Sequence, residues 1–443
     1  MQHPQGTASH YNYFWSVTDK LTAWPTTVCF LLLGVLASHA PYVRAATAVP
    51  LSPNEAELIA LADEPGLLAL TENAAAIMQQ SVAAGQLPDP KLRVGLANFP
   101  IQSGGFTTEG MTQAQLGIRQ SFPPGKTRAA STRQFQSLAL EMTESAEGRG
   151  RDVLTAVRVA WLETYYWNRS HLIVTESRPF FDDLVTVTRS YYAVGRKDQQ
   201  DVLRAELELS RLDDRLIDIN RQQALARAAL SEWVGAQASR PVAQKLPQWK
   251  QVPALQALRA EMPTHPALKA ADSRIAARKA GVALAEERYK PGWALDIGYG
   301  YRDGTLSNGD PRSDFVSLAV TMDLPVFRKN RQDRTLAAAL SERRAANESR
   351  EQLLRRLSSQ LDAEYARWQE LNRRVELYER QILNQAEDRA RAAMAAYQSD
   401  AGDFDDVMRG HIDNLNTRLD HIRLQVERAQ SYAVLANLGG FPR

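Results

Sequence analysis

Residues 125–127 read Gly-Lys-Thr, the ending of a loop that cradles nucleotide phosphates. That loop needs a first glycine five residues ahead of the glycine before lysine, and Gln120 stands there instead. It also needs to leave a buried apolar strand, whereas residues 113–122, QAQLGIRQSF, alternate polar and apolar. The residues that could ligate a metal are equally sparse. After the first 45 residues the histidines are His171, His265, His411 and His421, with no pair at the i, i+4 spacing of a helical site. His411 and His421 are ten apart, too weak a pattern to assign a metal. The sole cysteine is Cys29, and no Gly-x-Ser-x-Gly elbow occurs. Enzyme chemistry and a bound cofactor are therefore not expected. Asp403, Asp405 and Asp406 form a short acidic group. By themselves they suit the first turn of a helix, where negative charge complements the helix dipole.

These residues sit in a duplicated chain. EPGLLAL at 64–70 parallels HPALKAA at 265–271, and PDPKLRVGL at 88–96 parallels YKPGWALDI at 289–297, both at an offset of 201. Phe122-Pro123 parallels Leu324-Pro325, and DVLR at 201–204 parallels DVMR at 406–409. Tyr192 and Tyr397 each precede the aspartate of that segment by nine residues. By this alignment PPGKT is equivalent to PVFRK, a junction between strand and helix marked by Pro123, Pro124 and Pro325. Proline fixes its own φ, lacks an N–H and biases the residue before it away from helix.

Each unit reads alike. An alanine-rich helix comes first, about 54–86 and 265–288. Two alternating strands follow, near 91–101 and 111–122, then near 293–302 and 314–324. In the third strand Trp293, Leu295, Ile297, Tyr299 and Tyr301 share one face, with Ala294, Asp296, Gly298, Gly300 and Arg302 on the other. Long helices close each unit. Residues 328–400 contain neither proline nor glycine and would reach roughly 110 Å as one helix; a second helix covers about 404–438. In the first unit helix is expected over 126–194, interrupted near Pro179, and over 198–234. Val153, Leu154, Val157, Trp161 and Tyr165 recur at helical spacing as core, with Leu353, Leu354, Leu357, Leu361 and Tyr365 as equivalents. The divisions are therefore a first repeat over 46–234, an irregular linker over 235–264 and a second repeat over 265–443.

The N-terminus reads as an export signal, residues 1–45. Lys20 precedes a ten-residue apolar run, Val28–Ala37, and small-residue cleavage sites follow before Ala46 and Val49. Net charge is +2, which offers nucleic acid no footprint. Amphipathic strands in an exported chain raise a closure problem. Open sheet edges cannot exist in a bilayer, and four strands cannot close a barrel. Two chains would supply eight strands around a filled interior. Three would supply twelve and a passage, which the polar, glycine- and alanine-rich inner positions suit better. A soluble periplasmic coiled-coil scaffold would explain the helices and leave the strands unused.

The segments PDPKLRVGLANFP, GMTQAQLGIRQSFPPGKTR, HPALKAADSRIAARKAGVALAEERYKPGWALDIGYGYR and SLAVTMDLPVF, with the paired DVLR and DVMR, resemble the TolC-like outer-membrane efflux proteins. The likeness is greatest to the cobalt-zinc-cadmium and copper-silver resistance branch. It implies an α+β membrane protein: a homotrimer whose duplicated helix–strand–strand–long helix–helix units form a 12-stranded β-barrel joined to a long α-helical barrel. It implies outer-membrane lipid around the strands. It also implies a periplasmic adaptor and an inner-membrane proton-driven pump as partners, with metal cations or organic compounds as cargo. In that family helix tips close the periplasmic end. The likeness picks out Asp406 after Tyr397, its neighbour Asp405, and Asp201 after Tyr192. Where the family has a second aspartate, this chain has Arg409 and Arg204. The arginines would then tie neighbouring tips by pairing with the aspartates.

Overall fold

A computed structural model describes residues 49–249 and 251–441. The expected signal segment, Cys29 and the cleavage site before Ala46 lie outside the described residues.

Helix α1 (Pro53–Ala62) begins where the Ser52 hydroxyl accepts the Glu55 N–H at 3.2 Å, with proline at the first helical position. Helix α2 (Pro65–Ala84) begins the same way, capped by the Glu64 carboxylate. The single helix expected over 54–86 is therefore two, because Pro65 lacks an N–H and disfavours helix at Glu64. Strands β1 (Lys91–Ala97) and β2 (Gln113–Phe122) follow, then α3 (Thr127–Ala193) and α4 (Gln199–Val234). Helix α3 runs unbroken through Pro179, contrary to the expected interruption. Pro179 forfeits one backbone bond. The turns after it are held by Phe181, Leu184 and Val185, buried in one cluster with Met408, Leu415 and Leu419.

The linker is less irregular than its composition suggests. It carries 3₁₀ turns over Gly235–Ser239 and Met262–Thr264, and helix α5 (Leu255–Glu261). It also latches the residues ahead of α1. Leu51 forms a parallel bridge with Val242, and the Trp161 indole donates to the Leu51 carbonyl at 2.9 Å. Arg158 grips the buried carboxylate of Glu57 at 2.7 and 3.3 Å.

The second half repeats the order. It runs α6 (Pro266–Glu287), β3 (Trp293–Tyr301), β4 (Phe315–Met322), α7 (Gln332–Leu377), a π turn over Tyr378–Ile382, α8 (Leu383–Gln398) and α9 (Phe404–Gly439). The π turn makes α7 and α8 one rod with one wide turn inside it. Val153, Leu154, Val157, Trp161 and Tyr165 are buried, as are Leu357 and Leu361; Leu353, Leu354 and Tyr365 are partly covered.

The strands form one antiparallel sheet in the order β1-β2-β3-β4, so β1 and β4 are both edges. The register carries apolar rows across it: Leu92, Ile118, Ile297, Leu318, and Val94, Leu116, Tyr299, Val316. No helix among the described residues covers this face, and Leu318 is 71% exposed. Stacked aromatics lie toward its two ends, Phe122 on Trp293 at 4.0 Å and Phe106 on Tyr301 at 6.3 Å. The other face carries Arg93, Gly117, Gly298 and Ser317 in one row, and Lys91, Arg119, Asp296 and Ala319 in another. No helix among the described residues is long and apolar enough to cross a membrane.

Candidate functional site

Two short turns join the long helices at the end remote from the sheet. Val194–Asp198 connects α3 to α4, and Ser399–Asp403 connects α8 to α9. Each has one left-handed residue, Gly195 in the first and Asp400 in the second. Asp198 and Asp403 precede the outgoing helices in extended conformation.

Between these turns the structure joins residues of the two repeats. The Arg204 guanidinium pairs with Asp405, across α4 and α9. Lys197 pairs with Asp400 at 2.7 Å and lies over the Tyr397 ring at 4.9 Å. Tyr397 is 2% exposed, touching Phe404 and Tyr191, and its hydroxyl has no hydrogen-bond partner among the described residues. Burial, with Asp201, Tyr191 and Asp400 nearby, pushes its pKa up to about 12. Its sequence equivalent Tyr192 is exposed; Tyr191 takes the inner position, with Arg196 over its ring. Half-burial and the carboxylates of Asp198 and Asp405 raise the Asp201 pKa, against Lys197 and Arg204. Asp406 and Arg409 are exposed and make no ion pair among the described residues.

Of the residues selected from the sequence, Asp405, Arg204, Tyr397 and Asp201 therefore come together, and Tyr192, Asp406 and Arg409 remain on the surface. No spacing along the sequence marks the Lys197–Asp400 pair. Its signal was a basic residue in one turn facing an acidic residue in the other, visible only once the turns are known to be adjacent.

At the opposite end, Pro123 and Pro124 lie between β2 and α3, and Pro325 lies between β4 and α7. Gly125 adopts φ +52°, where a side chain would strike the Glu287 carboxylate. The Lys126 N–H donates to Glu287 at 2.7 Å and the Thr127 hydroxyl donates to the Pro124 carbonyl at 2.6 Å. The Lys126 N–H of the Gly-Lys-Thr segment thus serves a carboxylate at the end of α6. Among the described residues no group of three or more His, Cys, Asp or Glu could hold a metal ion.

Residues 258–440, from within α5 to the end of α9, match the outer membrane efflux protein family. No curated protein matches the sequence. Among solved structures, CusC aligns at 17% identity over 89% of this chain and 94% of its own, with a TM-score of 0.76. VceC, an outer membrane protein of Vibrio cholerae, aligns at 18% over 87% and 96%, TM-score 0.73. The MtrE outer membrane channel of Neisseria gonorrhoeae aligns at 15% over 88% and 88%, TM-score 0.70.

Proposed function

We propose that this chain, an outer membrane efflux protein with the fold of the TolC-like channels, is the passive exit duct of a tripartite efflux system. The observation that carries this reading is the sheet: one uncovered apolar face, one polar face and two unpaired edges. An edge strand cannot stay unpaired in hydrocarbon. Pairing β4 of one chain with β1 of the next satisfies both edges. Three chains give twelve strands, with the row Arg93, Gly117, Gly298, Ser317 turned to a watery lumen. Helices α3 and α7–α8 then continue the passage as a tube, each roughly 100 Å long at 1.5 Å per residue.

In this reading residues 1–45 direct export to the periplasm of a Gram-negative bacterium, and the mature chain starts near Ala46 or Val49. The tips meet a periplasmic adaptor, which links them to a proton-driven inner-membrane pump that supplies the energy. The duct needs no cofactor and catalyses nothing. Asp405 and Asp406 of three chains would ring a narrow entrance, with Arg204 holding it closed. Metal cations are the cargo, supported by the likeness of the quoted segments to the heavy-metal branch.

A deletion strain complemented with the full gene tests this. Restored tolerance to a panel of metal salts, with the protein in the outer-membrane fraction, is the expected result. Restored tolerance to organic compounds alone would overturn the cargo. Release of the protein by salt rather than detergent would overturn the channel.

A further inference from the structure

A cavity of about 570 Å³ opens where β2, β3 and β4 give way to helix. That is within the size range of small-molecule sites. Arg288, Lys290, Asp323, Leu324, Arg331 and Gln332 line it. Arg288 and Arg331 make no ion pair among the described residues, and Lys290 is held 2.8 Å from Glu287. The Gln332 Oε1 is buried and has no hydrogen-bond partner among the described residues. An amide oxygen can only accept, and a buried acceptor left unmade is costly. The cavity thus offers cationic donors, a carboxylate and an unfilled acceptor together. Beside it, Leu324, Val326 and Phe327 are 72%, 67% and 80% exposed.

We infer that this junction cavity binds the headgroup of an aminophospholipid of the periplasmic leaflet, a phosphodiester carrying a primary ammonium. Arg288 and Arg331 take the phosphate, for which guanidinium forks are suited. The ammonium donates to Asp323 and to Gln332 Oε1. Leu324, Val326 and Phe327 lie against the acyl chains, which selects a membrane lipid over a soluble phosphate ester. A choline headgroup has no N–H to give Gln332, and a glycerol headgroup has no cation for Asp323. The site rests on the channel reading, since it needs the apolar face in a bilayer.

The test uses the full chain purified from membranes in detergent. It is equilibrated with equimolar phosphatidylethanolamine, phosphatidylcholine and phosphatidylglycerol and weighed by native mass spectrometry. Wild type should retain phosphatidylethanolamine about five-fold over phosphatidylcholine, as one extra hydrogen bond would give. Arg288→Gln with Arg331→Gln should lose retention of all three. Gln332→Leu should bring phosphatidylethanolamine down to the phosphatidylcholine level while phosphate binding persists. Equal retention of the three lipids by wild type, or unchanged preference in both variants, would overturn the site. So would complete displacement of the lipid by soluble phosphoethanolamine. Planar-bilayer conductance of the same samples separates the two readings. A conducting protein without lipid preference removes only the headgroup site, whereas a wild type that neither conducts nor partitions into membranes removes the channel.

Discussion

At the residue scale, the tips are held by pairs of small individual strength. The Arg204 and Asp405 side chains are 41% and 47% exposed, so their pair contributes no more than about 1 kcal/mol. In the proposed duct, a closure built from such pairs would open without large cost. Arg204→Ala should therefore raise spontaneous opening in planar bilayers by about two- to five-fold while leaving trimer yield unchanged. Carboxylates around one axis add their fields and draw cations. Asp405→Asn with Asp406→Asn should abolish cation preference and block by trivalent cations from the periplasmic side. Unchanged selectivity in that double variant would reject the acidic entrance. A second residue effect is pH. His411 stacks on Phe180 at 3.6 Å and burial pushes its pKa down to about 4. The fold holds the neutral ring, so the unfolded chain binds a proton first. The contribution of His411 to stability is complete above about pH 6.5 and is lost as pH falls toward 4. His411→Phe should reduce the fall in melting temperature between pH 7 and pH 4.5; an identical fall in wild type and variant would show that the ring does not titrate in this way.

At the scale of elements, the sheet makes a prediction from its parity. Leu318 and Ser317 are neighbours on β4 that point to opposite faces. In the proposed duct, arginine at 318 would enter lipid, at a cost of about 2–4 kcal/mol near the midplane, whereas arginine at 317 would enter the lumen. Leu318→Arg should lower trimer yield and Ser317→Arg should leave it intact, read by gel mobility without boiling. Equal effects would deny the sheet a lipid face. The junctions carry a related expectation. Pro123→Ala with Pro124→Ala frees the turn between β2 and α3, and assembly or opening should be impaired. Wild-type yield and conductance after that change would mean that Gly125 and the Lys126–Glu287 bond suffice to shape the bend.

At the scale of the whole molecule, the loops and the edges decide the arrangement. The segments between β1 and β2 and between β3 and β4 are tied together: Arg302 donates to the Gly110 carbonyl at 3.0 Å, and Arg312 to that of Thr107 at 3.1 Å. In the proposed duct they form its outer rim, so a tag inserted within 102–110 or 303–312 should bind antibody on intact cells. Native mass spectrometry in detergent should find three chains. A stable detergent-solubilised monomer would contradict the edge argument, since β1 and β4 would remain unpaired in an apolar medium.

Much of this was legible in the sequence because it depends on local periodicity. The alternation of Trp293, Leu295, Ile297, Tyr299 and Tyr301 defines a strand and its faces wherever the strand is placed. The absence of proline and glycine over 328–400 permits a long helix by itself. The duplication follows from matched segments alone. Tertiary structure decided the rest. Whether Pro179 breaks α3 depends on what grips the turns after it, and Phe181 and Leu184 are gripped by residues of α9 more than 200 positions away. Which tyrosine of each tip faces inward depends on helix phase, so Tyr191 and not Tyr192 meets Tyr397. The alignment of the two repeats already marks the Gly-Lys-Thr segment as a junction between strand and helix; the structure adds that its Lys126 N–H donates to Glu287. The pairing of Arg204 with Asp405 required two turns to be neighbours, and no spacing along the chain encodes that distance.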